Sequence, residues 1–576
     1  VPYGDTPADK RLVAYVVPKQ LGPLDTDQLR RFLEARLPAA VAPSSFFPID
    51  KIPLNANGKV DWRQLPTPEP QAGRSYTAPR NGIEHRLADL WGKLLNVDRP
   101  GIDDDFFALG GHSLKAASLV LSINQSLDTN ISFRDVFVAP TIRALAALVA
   151  AAQRVRFVSI ERAMPQEHYP ASAAQKRIFI LQQIDTESTA YNLFDIFLVE
   201  GNLREEQVEA TLRALVDRHE ALRTSLFLGP SGVCQQVHPT VTFHLDYQEA
   251  DEAEIEAIAR SFFTPFDLNQ APLLRVGLVK LAPHTSVLLF NMHHIIGDGV
   301  SLGILIREFV ALYEGQELPA PPIQYKDYAV WHNRLLGSAA LQAQEEYWSR
   351  RFADSVPILN LPTDYPRPQL VSSEGDSVAA VLDRQLTADL KRLASDHGAT
   401  LYMVLLMGYS LLLSRYANQA DLVIGSPVSG RTHADVEGVV GMFVNTLAIR
   451  CRPAQHKTIA EYLGEIKTAL VEAIEHQDYP FEMLVEKVFH DRDPSRNPLV
   501  ETTFGLWRRE DLWVATKEFT VRQYPFSARA ARFDLFVDAL EVDQEIHLDV
   551  QFRTDLFQRA PIERLVDHFR TLLSAI

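Results

Sequence analysis

SVLLFNMHHIIGDGVSLGILIREFVALYEG, residues 286–315, holds the change of period on which the reading of this chain turns. Up to His294 the run is short and apolar, as a buried strand is. From Val300 onward the apolar positions recur at helical spacing. Between the two lie adjacent histidines, an aspartate and two glycines. A strand that stops at a polar loop and feeds a helix predicts a mixed α/β unit.

His293 and His294 are neighbours on a strand end, so their side chains are expected to leave on opposite faces. One then faces a cleft, and the other packs or bonds structurally. Metal binding, a structural role and acid–base chemistry compete for them. Adjacent histidines seldom converge on one ion, and HHxxxD lacks the HExxH spacing, so no metal is expected. A structural histidine is the plain reading. The chemical one is that an imidazole near its ordinary pKa can place or remove a proton near neutrality. No serine or cysteine is placed for a recognisable covalent triad.

Working outward, YNLFDIFLVEG (191–201) reads as a strand and EEQVEATLRALVDRHEALRTSLF (205–227) as a helix followed by a strand. Residues 166–576 continue this alternation, which predicts two subdomains sharing a cleft. Upstream, IEHRLADLWGKLLNV (83–97) places Leu87, Leu90, Trp91, Leu94 and Leu95 on one broad helix face. The loop GIDDDFFALGGHS leads to a second helix near Ser113, and TIRALAALVAA (141–151) makes a last one. Residues 80–152 are therefore a small helical bundle. Within LGGHSLKA (109–116), Ser113 reads either as an N-cap behind turn-making glycines or as a functional hydroxyl. A helix N-terminus there favours an attached phosphate, and GxSxG is absent, so it is no nucleophile elbow.

Residues 1–70 read as a small α+β unit, with a strand in RLVAYVV (11–17) and an amphipathic helix over 25–37. PTPEPQAG (66–73) is a linker by composition. Lys59, in NANGKVD, sits on a turn, where a lysine either solvates the surface or reaches an anion.

Composition narrows the function classes. Asp plus Glu total 73 against 57 Lys plus Arg, a formal charge of −16 over 576 residues, and no long basic block stands out. Nucleic acid is therefore disfavoured as the main partner. No run of 18 apolar residues occurs, so no membrane span is expected. Cys234 and Cys451 make no disulfide framework, and VPYGDTPADK lacks the order of a secretory signal. A reducing cytoplasm is the expectation.

Residues 81–152 resemble a peptidyl carrier protein of nonribosomal peptide synthetases, through DDFFALGGHSLKA (104–116). The resemblance implies a four-helix bundle and a 4′-phosphopantetheine arm placed on Ser113 by a phosphopantetheinyl transferase. Residues 166–576 resemble a condensation domain of the same bacterial, antibiotic-making systems. That resemblance rests on SAAQKRIFIL (172–181), RHEALRTSLF (218–227), MHHIIGDGVS (292–301), YKDYAVW (325–331), IGSPVSGR (424–431), GMFVNTL (441–447) and HQDYPFEMLV (476–485). It implies two chloramphenicol-acetyltransferase-like halves arranged as a V, with the histidine motif at their junction. His294 would face the tunnel, with His293 beside it in the motif. Asp298 would pair with Arg431 and hold the loop. Gly299 would let the chain turn tightly and offer its backbone near the reacting centre. The family often has serine at Gly297, so glycine there implies extra loop freedom.

The reaction so implied is attack by the amine of an aminoacyl thioester on a donor thioester carried by Ser113, with an L-configured donor residue. Its partners are an upstream adenylation domain, a downstream adenylation and carrier pair, and aminoacyl or peptidyl thioesters. His294 would either accept the amine proton or orient the amine; orientation with late proton transfer is preferred, because a free α-amine is already nucleophilic near its own pKa of about 8. Epimerisation of a carrier-bound residue shares the fold and the double histidine. An inert recruitment domain is opposed by the intact His294, Asp298 and Gly299. Residues 1–70 resemble the end of an adenylation domain, in which Lys59 would match the lysine that assists acyl-adenylate formation. Without the nucleotide loop and substrate pocket, no adenylation is expected from this chain.

Overall fold

The computed structural model describes residues 2–3, 11–16, 45–48, 76–155, 157–230, 232–489, 493–508, 514–516, 518–524, 526 and 530–576. Lys59, the helix expected over 25–37 and the linker at 66–73 lie outside the described residues. At the amino terminus, Arg11–Val16 pairs antiparallel with Pro2–Tyr3 and parallel with Ser45–Pro48.

Four helices follow: Gly82–Leu95, Ser113–Leu127, Phe133–Val138 and Ile142–Ala151. The first starts where the Asn81 side chain accepts from the Glu84 amide, and it ends at Asn96 in the left-handed region, φ 56°. Leu87, Trp91 and Leu95, one helical turn apart, are buried with Phe106, Leu119, Ile142 and Leu145. Trp91 meets Phe106 edge to face at 5.1 Å. The residue pattern located three helices, and Phe133–Val138 is the one it did not locate. At six residues it is too short to show a period, and a capping box between Ser132 and Asp135 defines it instead.

The larger region is built on two six-stranded sheets. Across the first, the strand order is Val514–Ala515, Phe519–Gln523, Asn192–Gly201, Thr285–His293, Leu274–Ala282 and Leu245–Glu249. Across the second it is Gly375–Leu382, Glu545–Arg553, Leu535–Val542, Thr502–Arg508, Leu422–Val428 and Asn445–Cys451. The helix Leu401–Ala417 is apolar nearly all round because it lies in the core against the second sheet, packed with Phe504, Val537, Val550 and Phe569. Among the described residues, no single helix is long and apolar enough to cross a membrane.

The two sheets are laced together. After Thr502–Arg508 the chain leaves the second sheet, and Phe519–Gln523 pairs antiparallel with Asn192–Gly201 at the edge of the first. It then returns to the second sheet as Leu535–Val542. The segment joining the helical unit to this body is strapped down as well. The Phe157 amide donates to Asp128 Oδ1 (3.2 Å), and the Phe157 ring lies 4.7 Å from that of His433. His433 Nε2 donates to the Val158 carbonyl (3.1 Å), and the Ile160 amide donates to Asp435 Oδ2 (2.8 Å).

Candidate active site

Thr285–His293 forms the expected strand, but it ends between the two histidines. His294–Ile296 is a 3₁₀ turn. The turn starts there because His293 Nδ1 accepts the Ile295 amide (3.2 Å), so the first histidine caps the turn that carries the second. The histidines are thus separated by a change of backbone path rather than by strand alternation. His293 Nε2 donates to Gln182 Oε1 (3.4 Å), and the ring packs edge-on near Phe266. Both of its nitrogens are engaged inside the protein.

His294 Nδ1 lies 2.9 Å from the Gly297 carbonyl. A carbonyl only accepts, so Nδ1 carries the proton and Nε2 presents its lone pair. Among the described residues Nε2 has no hydrogen-bond partner. Burial, reinforced by the positive charge of Arg532, holds the imidazole well below its usual range, so it is neutral at ordinary pH.

Asp298 is fully buried and caps the helix Gly299–Tyr313. Its Oδ1 accepts from the Ser301 amide (2.8 Å), the Ser301 hydroxyl (2.7 Å) and Arg431 Nη2 (3.0 Å). Its Oδ2 accepts from the Phe443 amide (3.1 Å). Arg431 Nη1 donates to the carbonyls of Val436 and Val439, and the guanidinium stacks 4.0 Å over Phe443. Ser301, which bonds both ends of this ion pair, was missed in the sequence. Its place three residues after an N-cap aspartate was the available signal.

Two glycines differ from expectation. Gly299 simply opens its helix: it is exposed, it is absent from the positive-φ positions, and a Cβ there would meet nothing within 4 Å. The turn therefore makes no demand for glycine. Gly297 is buried with extended backbone, and a Cβ would come within 2.5 Å of Met292 Cε. Met292 Cε is the movable end of a flexible side chain, so a Cβ at position 297 needs only a shift of that methyl group.

The separated sequence segments converge here. Gln175 Nε2 donates to the Ile295 carbonyl (3.2 Å). The Tyr325 hydroxyl meets both Ser172 Oγ (2.8 Å) and the Met442 carbonyl (2.5 Å). Asn445 Nδ2 donates to the carbonyls of Gln477 and Tyr479, and His219 Nε2 meets Glu308 Oε2 at 2.6 Å. Arg532 acts on His294 and is itself influenced by Tyr191, Arg177 and Asp538. A lone arginine in a loop gave no sequence signal.

Ser113 opens the helix Ser113–Leu127, and His112, not Ser113, occupies the N-cap position. Ser113 Oγ is enclosed and has no hydrogen-bond partner among the described residues. Gly110 takes φ 98°, and a Cβ on Gly111 would collide with the Phe106 ring, so the turn before Ser113 does require glycine. A hydroxyl without a competing partner, in the first turn of a 15-residue helix, suits a phosphodiester, whose charge the helix N-terminus favours. Its enclosure means that a local rearrangement must precede modification.

The buried histidines have a consequence for stability. Burial lowers the His293 pKa to about 3, against about 6.5 when unfolded. Above pH 6.5 both states leave it neutral and stability is complete. As pH falls below that value only the unfolded chain takes up the proton, and stability drops by about 1.4 kcal/mol per pH unit. Denaturant unfolding at pH 7.5 and 5.5 should show this loss, and His293→Asn should reduce the difference. An unchanged difference would contradict a buried neutral His293.

Residues 165–576 match the family model described as the condensation domain, and residues 85–149 match that of the phosphopantetheine attachment site. The chain is 44% identical to tyrocidine synthase 3 of Brevibacillus parabrevis over 99% of its length, and 43% identical to gramicidin S synthase 2 of Brevibacillus brevis over 99%. It spans only 9% and 13% of those synthases. Its fold matches the crystal structure of the X-domain from teicoplanin biosynthesis with a TM-score of 0.67 at 26% identity, covering 72% of this chain and 96% of that one.

Proposed function

Since this chain belongs to the condensation-domain family and carries a phosphopantetheine attachment site ahead of that domain, we propose that it holds an acyl group on Ser113 and passes it to an incoming amine at His294. Residues 1–70, 80–152 and 166–576 are then an adenylation-domain remnant with Lys59, a four-helix carrier and a condensation domain of two acetyltransferase-like halves. The bound arm, placed by a phosphopantetheinyl transferase, supplies a thioester, which is an activated acyl group. What the protein must add is alignment of amine and carbonyl.

The observation that carries this reading is the fixed tautomer of His294. Nδ1–H is held by the Gly297 carbonyl, so Nε2 can accept a hydrogen bond from the attacking amine. Because burial and Arg532 disfavour a charged imidazole, His294 orients the amine and takes its proton late, as positive charge develops on nitrogen. Asp298, Ser301 and Arg431 hold the turn; they lie behind His294 and do not touch reactants. The acceptor amine arrives on a downstream carrier, and the donor residue is L-configured.

The test loads the protein with a broad-specificity phosphopantetheinyl transferase and aminoacyl coenzyme A, then adds a separately loaded acceptor carrier. Mass measurement should show one arm on Ser113 and acyl transfer to the acceptor. Loading that survives Ser113→Ala, or a loaded protein that transfers nothing, overturns the proposal. Solvent hydrogen exchange at the donor α-carbon without transfer would mark epimerisation instead.

A further inference from the structure

The face of the second sheet turned away from its helices carries polar side chains among its apolar ones. Leu535, Val537, Ala539, Phe504 and Val550 point into the helix-packed core. By strand alternation, Asp538, Thr503, Gly505, Trp507 and Asp549 share the opposite face. The register places Asp538 beside both Gly505 and Asp549. Two atoms on this face, Asp538 Oδ1 and Thr503 Oγ1, are buried with no well-formed hydrogen bond among the described residues, although the Trp507 indole N–H lies near enough to Asp538 to favour its charged form. Buried polar groups are normally paired, so two such atoms on one face point to a ligand.

The glycine lets the indole and the carboxylate approach the strand closely. A Cβ on Gly505 would stand 3.1 Å from Trp507 Nε1 and 3.4 Å from Asp538 Oδ1, in the space the indole and carboxylate share. Burial, then the facing Asp549, pushes the Asp538 carboxyl up to about 7. An incoming cation would relieve both effects. A carboxylate, a free hydroxyl oxygen and an indole together are the chemistry that receives an ammonium group. Arg532, which acts on both Asp538 and His294, sets the polarity of the cleft.

We propose that Thr503, Gly505, Trp507 and Asp538 form a specificity subsite that takes the cationic amine side chain of a carrier-borne aminoacyl group. This rests on the acyl-transfer reading above and adds to it the class of residue accepted. The experiment compares single-turnover transfer of lysyl and norleucyl groups, which differ in the side-chain ammonium, loaded first on Ser113 and then on the acceptor carrier. The parent should favour lysyl by about tenfold or more in one of the two arms, as a charge-assisted hydrogen bond implies. That arm identifies the residue the subsite reads. In Asp538→Asn and Thr503→Val the ratio should shrink toward unity.

A second readout is independent of transfer. Lysine and norleucine amides of cysteamine, which cannot react, are titrated against the protein while Trp507 emission is followed, with Trp507→Phe as the control. The lysine amide should bind more tightly, and Asp538→Asn should erase the difference. Equal binding of both amides by the parent overturns the subsite, and so does an Asp538→Asn ratio equal to the parent's. Failure to transfer either load, with lysine-selective binding intact, refutes the acyl-transfer reading while sustaining the subsite.

Discussion

Replacing His294 with alanine is expected to slow acyl transfer by roughly 10²–10⁴-fold, the range for loss of a positioned proton-handling group. The expectation follows from the division of labour between the two histidines. His293 spends both nitrogens on Gln182 and the Ile295 amide, whereas His294 spends one and leaves Nε2 for the amine. Loading of Ser113 draws on a different part of the chain and should continue in the variant. The pH profile separates positioning from base catalysis. A His294 held neutral below pH 6 gives no inflection between pH 6 and 9, so the parent rate should rise only with the amine's own pKa of about 8. The check is single-turnover transfer from preloaded donor to loaded acceptor across that range, with background aminolysis subtracted. A His294→Ala rate within about threefold of the parent would sink the assignment, since it lies far outside the range above.

Asp298→Ala should act through stability. The aspartate gathers four donors, and its removal leaves the buried Arg431 guanidinium without its counter-charge and the other three donors without their acceptor. Breaking a buried pair from one side costs about 3–5 kcal/mol, because the remaining charge loses its partner. His294→Ala removes one hydrogen bond to a carbonyl and should lose about 1 kcal/mol beyond its packing. Asp298→Ala should therefore be the less stable of the two variants, while removing both Asp298 and Arg431 should recover part of the loss. Matching unfolding midpoints for Asp298→Ala and the parent would show that Asp298 does not hold the loop. The double variant makes the test specific to pairing, since general damage would add rather than cancel.

The strand and helix around the histidine motif were readable because both carry their period locally, as do Leu87, Trp91 and Leu95 in the helical unit. The separation of His293 from His294 was also anticipated, although for an incomplete reason. Alternation assumes that the strand continues, and here the His293 side chain ends it by capping the turn that follows. Arg532, Thr503 and Asp538 were not legible. Each lies far along the chain from residue 294, and only the lacing of two sheets brings its face to the cleft. Ser301 and the helix Phe133–Val138 had local signals, but those signals are hydrogen bonds of a cap, which leave no hydrophobic period to count.

The strap over residues 157–162 bears on how such chains exchange parts. His433 and Asp435 belong to the body, yet they grip backbone that a boundary drawn at residue 165 would assign to the preceding unit. A recombination junction there would lay foreign sequence into a seat shaped for Phe157, Val158 and Ile160. A junction between 152 and 156 keeps that seat and its occupant together, at the cost of dividing bonds such as the one from Phe157 to Asp128. Inherited or engineered hybrids joined in this interval should therefore retain their stability better than those joined ten residues later.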